Sequence, residues 1–225
     1  MPRLLTELHV HVSVQTLRHV ARGLGYAWKR GRRSLKSKRD GTAFEAMQKQ
    51  LKQWHLAESR GEVAVVYVAE CRFARLAPVP YAWQRRGAPA GALPAEREAG
   101  GYSVLGFWQP GRAGQPLTAY SLPGAWNAEA FVADEVRGPT KLVLDNASIH
   151  RAACVRERQA EWAAKGLTFC FLPPYSPGLN KIEVLGQRCK HYWLTPADYV
   201  CDRTLKERLD QVLQNVGSQY TVTFG

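Results

Sequence analysis

KLVLDNASIH (residues 141–150) and FCFLPPYSPGLNKIEVLG (residues 169–186) are the two stretches that decide the fold of this chain. Each contains a short apolar run of the kind found in strands buried on both faces. The first run ends at Asp145, and the second leads through a Pro-rich loop to Glu183. Because α/β sheets usually present ligands at the carboxyl ends of their strands, these two acids are the candidate chemical centre.

Both acids also have ordinary structural interpretations. Asp145 is a residue type that commonly opens a turn or a helix. Glu183 lies three residues after Asn180, which is the spacing of a capping box at a helix start. The separation of the two acids along the chain does not decide between these interpretations.

The elements around these stretches alternate between strands and helices. Apolar runs predict strands at residues 63–68, 102–108, 117–121, 141–144 and 167–172. Helical spacing and caps predict helices at residues 14–24, 42–58, 127–136, 152–164, 179–193 and 203–216. A strand-loop-strand block followed by alternating strands and helices predicts an α/β fold with a mixed sheet flanked by helices.

Composition limits the classes of function. The 225 residues carry a formal net charge of +12, which points to an anionic partner such as nucleic acid. The five cysteines are odd in number and include no CxxC pair, so we expect reduced thiols and no zinc site. No apolar run approaches the length of a membrane span, so we expect no membrane partner and a cytoplasmic, nucleoid-associated protein.

The basic charge is concentrated near the N-terminus. Residues 1–60 contain 13 Lys or Arg and 4 Asp or Glu, and seven of the eleven residues at 29–39 are basic. Residues 14–24 are consistent with the second helix of a helix-turn-helix or with an ordinary amphipathic helix. With only about 12 residues before it, the helix-turn-helix would be partial. The predicted DNA-binding residues are Arg18, Arg22, Lys29, Arg30, Arg32, Arg33, Lys36, Lys38 and Arg39.

The two acidic stretches together resemble a known family. LVLDNASIH followed by FLPPYSPGLNKIEVLG is similar to the second and third acidic motifs of mariner-type insertion-sequence transposases of the DDE superfamily. Upstream, YVAECRF followed by YAWQRRG resembles the first motif, and SVQTLRHVARGLGYAWKRGRR resembles the end of the family's helix-turn-helix region. The resemblance spans about residues 12–195.

This resemblance implies an RNase H-like endonuclease fold that cleaves and joins double-stranded DNA at transposon ends. It implies Asp145 and Glu183 as catalytic ligands of Mg²⁺ or Mn²⁺, and a homodimer acting on transposon ends and target DNA. Asn146, His150, Tyr175 and Asn180 would support the site or contact DNA.

Three departures from the family pattern accompany the resemblance. The first acid of the pattern falls at Ala69, which offers no oxygen ligand, so occupancy by two ions is doubtful. Lys181 stands where proline is usual, and Gly186 stands where tryptophan is usual. We therefore expect a truncated copy of the family in which cleavage is impaired.

The expected organisation has three parts: a partial helix-turn-helix segment with its basic tail (residues 1–40), a linker helix (41–60) and the RNase H-like domain (61–225). Two alternatives to impaired cleavage stay open. The chain could be a non-catalytic DNA-binding relic that inhibits an intact transposase. It could also be a nuclease in which Glu70, reoriented by a β-bulge, replaces the missing acid.

Overall fold

The computed structural model describes residues 13–25, 38–75, 100–123, 138–145 and 153–224. The chain divides into two compact units, Met1–Leu35 and Lys36–Gly225. In the part of the chain that the structure describes, no helix combines the length and the apolar character needed to cross a membrane. The helix predicted at residues 127–136 lies outside the described residues.

In the first unit, the structure describes one helix, α1 (Val14–Gly23). The predicted cap is confirmed, because the Ser13 side chain accepts a hydrogen bond from the Thr16 amide at 3.0 Å. The helix ends before Gly25, whose φ of 80° is the left-handed conformation typical of a residue just past a helix end.

A five-stranded mixed sheet forms the centre of the second unit. Its strands lie in the order β3-β2-β1-β4-β5. The sheet is mixed, because β1 pairs antiparallel with β2 and parallel with β4. Their bounds are β1 (Ala64–Ala74), β2 (Gly101–Trp108), β3 (Leu117–Pro123), β4 (Thr140–Leu144) and β5 (Leu167–Phe171). The predicted mixed sheet is confirmed.

Helices pack on both faces of this sheet. On one face lie α2 (Gly41–Ser59) and α4 (Lys181–Arg188), and on the other lies α3 (Ala153–Ala164). A fifth helix, α5 (Asp202–Gln214), packs beside β3. Each helix is amphipathic or ends in an apolar anchor, so it buries one side against the sheet.

The central strand β1 divides the core by simple alternation. Val65, Tyr67 and Ala69 lie in the cluster that includes residues of α2 and α4. Val68 lies in the opposite cluster with Trp162 of α3. Because successive strand residues point to opposite faces, β1 is buried on both sides, as its apolar run predicts.

Two elements differ from the sequence prediction. The strand predicted at 63–68 continues to Ala74, because β2 pairs with it through Cys71, Arg72 and Phe73 and satisfies their backbone groups. The helix predicted at 179–193 is three pieces: a 3₁₀ turn, α4, and a π-helical turn at Cys189–Trp193. Apolar periodicity alone does not distinguish a π-helical turn from a continuing α-helix.

Candidate active site

The fold brings the two predicted acids to one end of the sheet. Asp145 directly follows the last residue of β4, and Glu183 lies in the first turn of α4. Glu183 is an exposed residue. Partial burial raises the pKa of its carboxylate, the negative charge of Asp145 raises it further, and Lys190 opposes both. Asp145 is therefore close enough to disfavour the charged form of Glu183.

Asn180 fixes the start of α4 against the central strand. Its Nδ2 donates to the carbonyl oxygen of Val68 at 3.0 Å, and the residue is buried. Its side chain makes no capping hydrogen bond, so it does not form its half of the capping box that the sequence allows. Instead, Asn180 anchors the turn that carries Glu183 beside the end of β1.

Ala69 occupies the position beside Asp145. Val68 of β1 pairs with Leu144 of β4 in parallel register, so the next residues of the two strands are Ala69 and Asp145. Ala69 shares a face of β1 with Tyr67, the face that α4 covers, and is 7% exposed. A carboxylate at position 69 would face the same space as Asp145 and Glu183, and alanine leaves that space without a third oxygen ligand.

Neither nearby glutamate replaces this missing acid. Glu70 pairs with Leu105 in the uninterrupted β1–β2 register, and Leu105 lies in the cluster on the α3 side of the sheet. The β-bulge that would reorient Glu70 is absent from this pairing. Glu62 lies before β1 and is held by Arg60, whose Nε donates to it at 2.6 Å.

A pocket of about 220 Å³ opens beside Glu183. Ala69, Glu70 and Glu183 line one part of it, and Gly186 lies in its wall. A Cβ atom at position 186 would lie 3.1 Å from Sγ of Cys71, which lines the same pocket. The pocket is therefore open where two positions carry very small residues, Ala69 on the strand and Gly186 on the helix.

With this geometry established, the comparisons with known proteins identify the family. Residues 64–206 match the family model described as DDE superfamily endonuclease. The chain belongs to the DDE superfamily of endonucleases. A comparison with curated proteins finds no match.

Solved structures share the fold of this DDE chain. A Mos1 transposase paired-end complex with left transposon end is 18% identical, with a TM-score of 0.51, and the match covers 94% of this chain and 66% of that one. The Mos1 strand transfer complex is 17% identical, with a TM-score of 0.52 and coverages of 95% and 67%. The chain thus spans about two thirds of the length of these relatives. The family and the RNase H-like fold predicted from the motifs are confirmed.

The donor set of the DDE chain fits one divalent cation better than two. Asp145 and Glu183 supply carboxylate oxygens, which Mg²⁺ and Mn²⁺ prefer. Among the described residues, no group of three or more His, Cys, Asp or Glu side chains could hold a metal ion. Two-ion sites commonly share one carboxylate between the ions, and Ala69 stands where the family pattern places that residue.

The sequence did not predict a second cluster of titratable residues on the same sheet face. Glu58 of α2 accepts hydrogen bonds from Nδ1 of His55 at 2.9 Å and from the Val65 amide at 3.0 Å. Nε2 of His55 lies 3.1 Å from Nζ of Lys181 and 2.8 Å from the Tyr67 hydroxyl. Because the carboxylate only accepts and the ammonium only donates, the imidazole carries its proton on Nδ1.

We call this arrangement the His55 network (His55, Glu58, Tyr67 and Lys181). Its burial and hydrogen bonds shift the pKa values of Glu58 and Lys181. Burial alone would raise the pKa of Glu58, but hydrogen bonds from His55, Val65 and Gln109 hold it below its ordinary value. Burial lowers the pKa of Lys181, and Glu58 opposes that shift. The ammonium group of Lys181 therefore interacts with the His55 network. Its Nζ also lies 5.0 Å from the ring centroid of Phe224.

The predicted DNA-contacting residues are only partly described. Arg18 and Arg22 are exposed on α1, and Lys38 lies 6.0 Å from the ring centroid of Tyr175. Tyr175 is 49% exposed and has a φ of 56° in the Pro-rich loop. Arg39 packs its guanidinium over Phe44 at 3.7 Å. The predicted residues outside the described part of the chain are Lys29, Arg30, Arg32, Arg33, Lys36, Asn146 and His150.

Proposed function

We propose that this protein is a transposase-type DNA-processing protein whose cleavage centre is impaired by Ala69. The observation that carries the proposal is the convergence of Asp145 and Glu183 on one end of a DDE-superfamily fold, with alanine in register beside Asp145. The proposed substrate is double-stranded DNA at the ends of a mobile element.

The proposed reaction is hydrolysis of a phosphodiester, followed by joining of the freed end. The oxygen of water bonds to phosphorus, the bond from phosphorus to the 3′ oxygen breaks, and the 3′ oxygen gains a proton. The freed 3′ hydroxyl then attacks a target phosphodiester in the same way. Asp145 and Glu183 would hold a Mg²⁺ or Mn²⁺ ion, which in such sites polarises phosphate oxygens and activates the nucleophile.

The remaining residues of the proposal act in binding. The net charge of +12 and the exposed Arg18, Arg22 and Lys38 favour contacts with DNA phosphates. Exposed Tyr175, beside Lys38, offers an aromatic surface next to the site. The proposed roles of Asn146 and His150 rest on the motif that contains Asp145.

The partners follow from the likeness to Mos1. That transposase is solved as a paired-end complex with a transposon end, which supports transposon-end DNA and a homodimer as the proposed partners here. The proposed organisation keeps the three predicted parts: residues 1–40 for DNA recognition, 41–60 as linker and 61–225 as the nuclease domain.

A non-catalytic role is the second candidate. Ala69 favours it, because a fold that retains DNA-binding charge without a full set of acids can occupy DNA ends or pair with an intact transposase. Gel-shift titration tests the binding itself: affinity should fall steeply between 50 and 200 mM salt, on the order of 10³-fold for a protein that makes six phosphate contacts. Retention of affinity across that range would exclude phosphate-dominated binding.

Nicking of a supercoiled plasmid that carries the DNA flanking the gene, in Mn²⁺, tests the catalytic part. We expect slow nicking by the native chain and an increase on the order of 10²-fold in Ala69→Asp, the size typical of one transition-state contact. Ala69→Asn, which has the same volume without the charge, should show no increase, and Glu183→Gln should abolish the gain.

Two results would contradict these expectations. Equal nicking by the native chain and Ala69→Asp would disprove the impairment. Nicking by neither protein, with both shown folded by circular dichroism and with Ala69→Asp binding Mn²⁺ in a calorimetric titration, would exclude the nuclease reaction.

A further inference from the structure

Lys190 is a cation in the candidate active site that the motif comparison leaves without a role. It lies in the π-helical turn after α4 and lines the same pocket as Ala69 and Glu183. Its positive charge opposes the burial that raises the pKa of the Cys71 thiol, and its Nζ lies 5.5 Å from the ring centroid of Phe73. Both contacts lie on the face of β1 that carries Ala69, two and four residues further along the strand.

Lys190 and Glu183 interact across the pocket. Both residues line it, and the positive charge of Lys190 opposes the rise in the pKa of Glu183 that burial and Asp145 cause. The ammonium group therefore lies on the side of the pocket where the carboxylate is.

The charge of the site gives Lys190 a chemical role. Three carboxylates with two divalent ions leave one net positive charge for the phosphate. Two carboxylates with one divalent ion and one ammonium leave the same net charge. The chain lacks the first acid at Ala69, and Lys190 places a positive charge in the pocket beside that position.

The pocket has room for a phosphate group, with a volume of about 220 Å³. Apolar side chains on the remaining walls, including Ile182 and Leu185, would lower the local dielectric constant and strengthen an ammonium–phosphate contact.

We propose that Lys190 binds a phosphate oxygen of the DNA in the pocket between Ala69 and Glu183, and so supplies the positive charge that a second metal ion would otherwise bring. Asp145, Glu183 and Lys190 then form a site for one divalent ion and one phosphate. This inference rests on the proposed function, because it assigns the DNA phosphate as the group that enters the pocket.

Lys190→Met keeps the apolar length of the side chain and removes the charge, and Lys165→Met is its matched control. Lys165 is an exposed lysine at the end of α3, paired with Glu161 at 2.9 Å and distant in sequence from every residue of the site. Lys190→Arg tests whether positive charge alone restores the behaviour. Circular dichroism and thermal unfolding establish that all variants are folded.

The first measurement is Mn²⁺ binding without DNA, followed by electron paramagnetic resonance. We expect one Mn²⁺ per native chain and about tenfold tighter binding in Lys190→Met, because removal of a nearby positive charge lessens its repulsion of the ion. The second is gel-shift affinity for duplex DNA in Ca²⁺ across a salt series. We expect Lys190→Met to bind less tightly and to lower the salt slope by about 1.

The proposal therefore predicts opposite changes in Lys190→Met: tighter binding of Mn²⁺ and weaker binding of DNA. Lys165→Met should leave Mn²⁺ binding unchanged, and Lys190→Arg should retain the DNA salt slope. A loss of both affinities in Lys190→Met would show a structural role and overturn the proposal, as would no change in either. Absence of Mn²⁺ binding by both the native chain and Lys190→Met would also overturn it.

The binding measurements test the role of Lys190, and plasmid nicking tests the nuclease reaction, so the two can fail independently. A chain that shows no nicking, yet gives the opposite shifts in Mn²⁺ and DNA affinity, would retain the Lys190 site and lose the nuclease reaction. A chain that nicks DNA at the same rate with and without Lys190 would retain the nuclease reaction and lose the role of Lys190, for which we expect a fall of about 10²-fold.

Discussion

Two clusters of titratable side chains lie on the same face of the sheet, and α4 contributes to both. Lys181, its first residue, enters the His55 network, while Glu183, two residues later, faces Asp145 and the pocket. In the His55 network each charged group has a hydrogen-bonding partner of complementary character. At the acidic centre, the charge of Asp145 disfavours the charged form of Glu183.

The two clusters therefore differ in role: the His55 network stabilises the packing of the fold, and the acidic centre has the properties of a chemical site. A cluster in which donors match acceptors stabilises the junction of α2, β1 and α4, and needs no ligand to complete it. A carboxylate whose pKa is raised by burial and by a neighbouring carboxylate is stabilised by an added cation, which is the arrangement expected of a binding or catalytic site. Sequence proximity to a motif therefore does not decide which charged residues serve the site.

The largest expected difference between the two clusters is the change in the free energy of unfolding when Glu58 or Glu183 is replaced by alanine. Glu58→Ala leaves the donors of His55, Val65 and Gln109 without their acceptor, so we expect the free energy of unfolding to fall by about 3 kcal/mol. Glu183→Ala removes repulsion at an exposed position and should change it by less than about 0.5 kcal/mol. Urea unfolding at pH 7 measures both values.

The exposed Glu161, which accepts a hydrogen bond from Lys165 at 2.9 Å, provides a matched control. Glu161→Ala should cost less than about 1 kcal/mol, as surface ion pairs do. If Glu58→Ala cost no more than Glu161→Ala, the His55 network would not be a stabilising element.

The pH dependence of stability should have opposite signs in the two clusters. The lowered pKa of Glu58 contributes stability that is present above the ordinary glutamate value of about 4.3 and is lost as pH falls through the folded pKa. The raised pKa of Glu183 has the reverse effect: the folded state binds its proton more tightly, so stability declines as pH rises from that ordinary value through the folded pKa.

Comparison of each glutamine variant with the native chain, by urea unfolding from about pH 2.5 to pH 7, measures these signs, with the Glu58 effect below about pH 4.3 and the Glu183 effect above it. Glu183→Gln should gain stability relative to the native chain as pH rises, whereas Glu58→Gln should lose it. Parallel curves for the two variants would show that the electrostatic contrast between the clusters is wrong.

The smallest expected effect concerns Gly186, which separates the acidic centre from Lys190. Alanine should strengthen the helix by about 1 kcal/mol, but its Cβ would lie 3.1 Å from Sγ of Cys71. We therefore expect little net change for Gly186→Ala alone, and a gain of about 1 kcal/mol when Cys71→Ala is also present. A double-mutant cycle of unfolding free energies measures this coupling, and additive effects would contradict the close contact.

Much of the fold could be predicted from local patterns. The apolar run at residues 63–68 predicted a strand, and helical spacing predicted the helix α2, which packs Phe44, Met47, Leu51 and Trp54 against the core. These predictions succeeded because alternation and helical periodicity are properties of neighbouring residues. The length of β1 was underestimated, since its second half is a strand only through its pairing with β2.

The candidate site also contains some residues that local motifs predicted and others that depend on tertiary contacts. The motifs predicted Asp145, Glu183 and the missing acid at Ala69, because these residue types lie within recognisable local sequences. The role of Lys181 was not predictable, since its partners His55 and Tyr67 are more than 100 residues away in the chain. The position of Lys190 beside the pocket likewise depends on Cys71 and Phe73 of a distant strand.

By itself, the sequence determined the family, the order of strands and helices, and the absence of a carboxylate at position 69. Only the tertiary structure decided which face of β1 that position occupies, that Glu70 points away from it, and that Lys181 and Glu183 serve different clusters. The physical reason is that residue identity and local periodicity are written along the chain. The field at a carboxylate depends instead on charges that strand pairing and helix packing bring together.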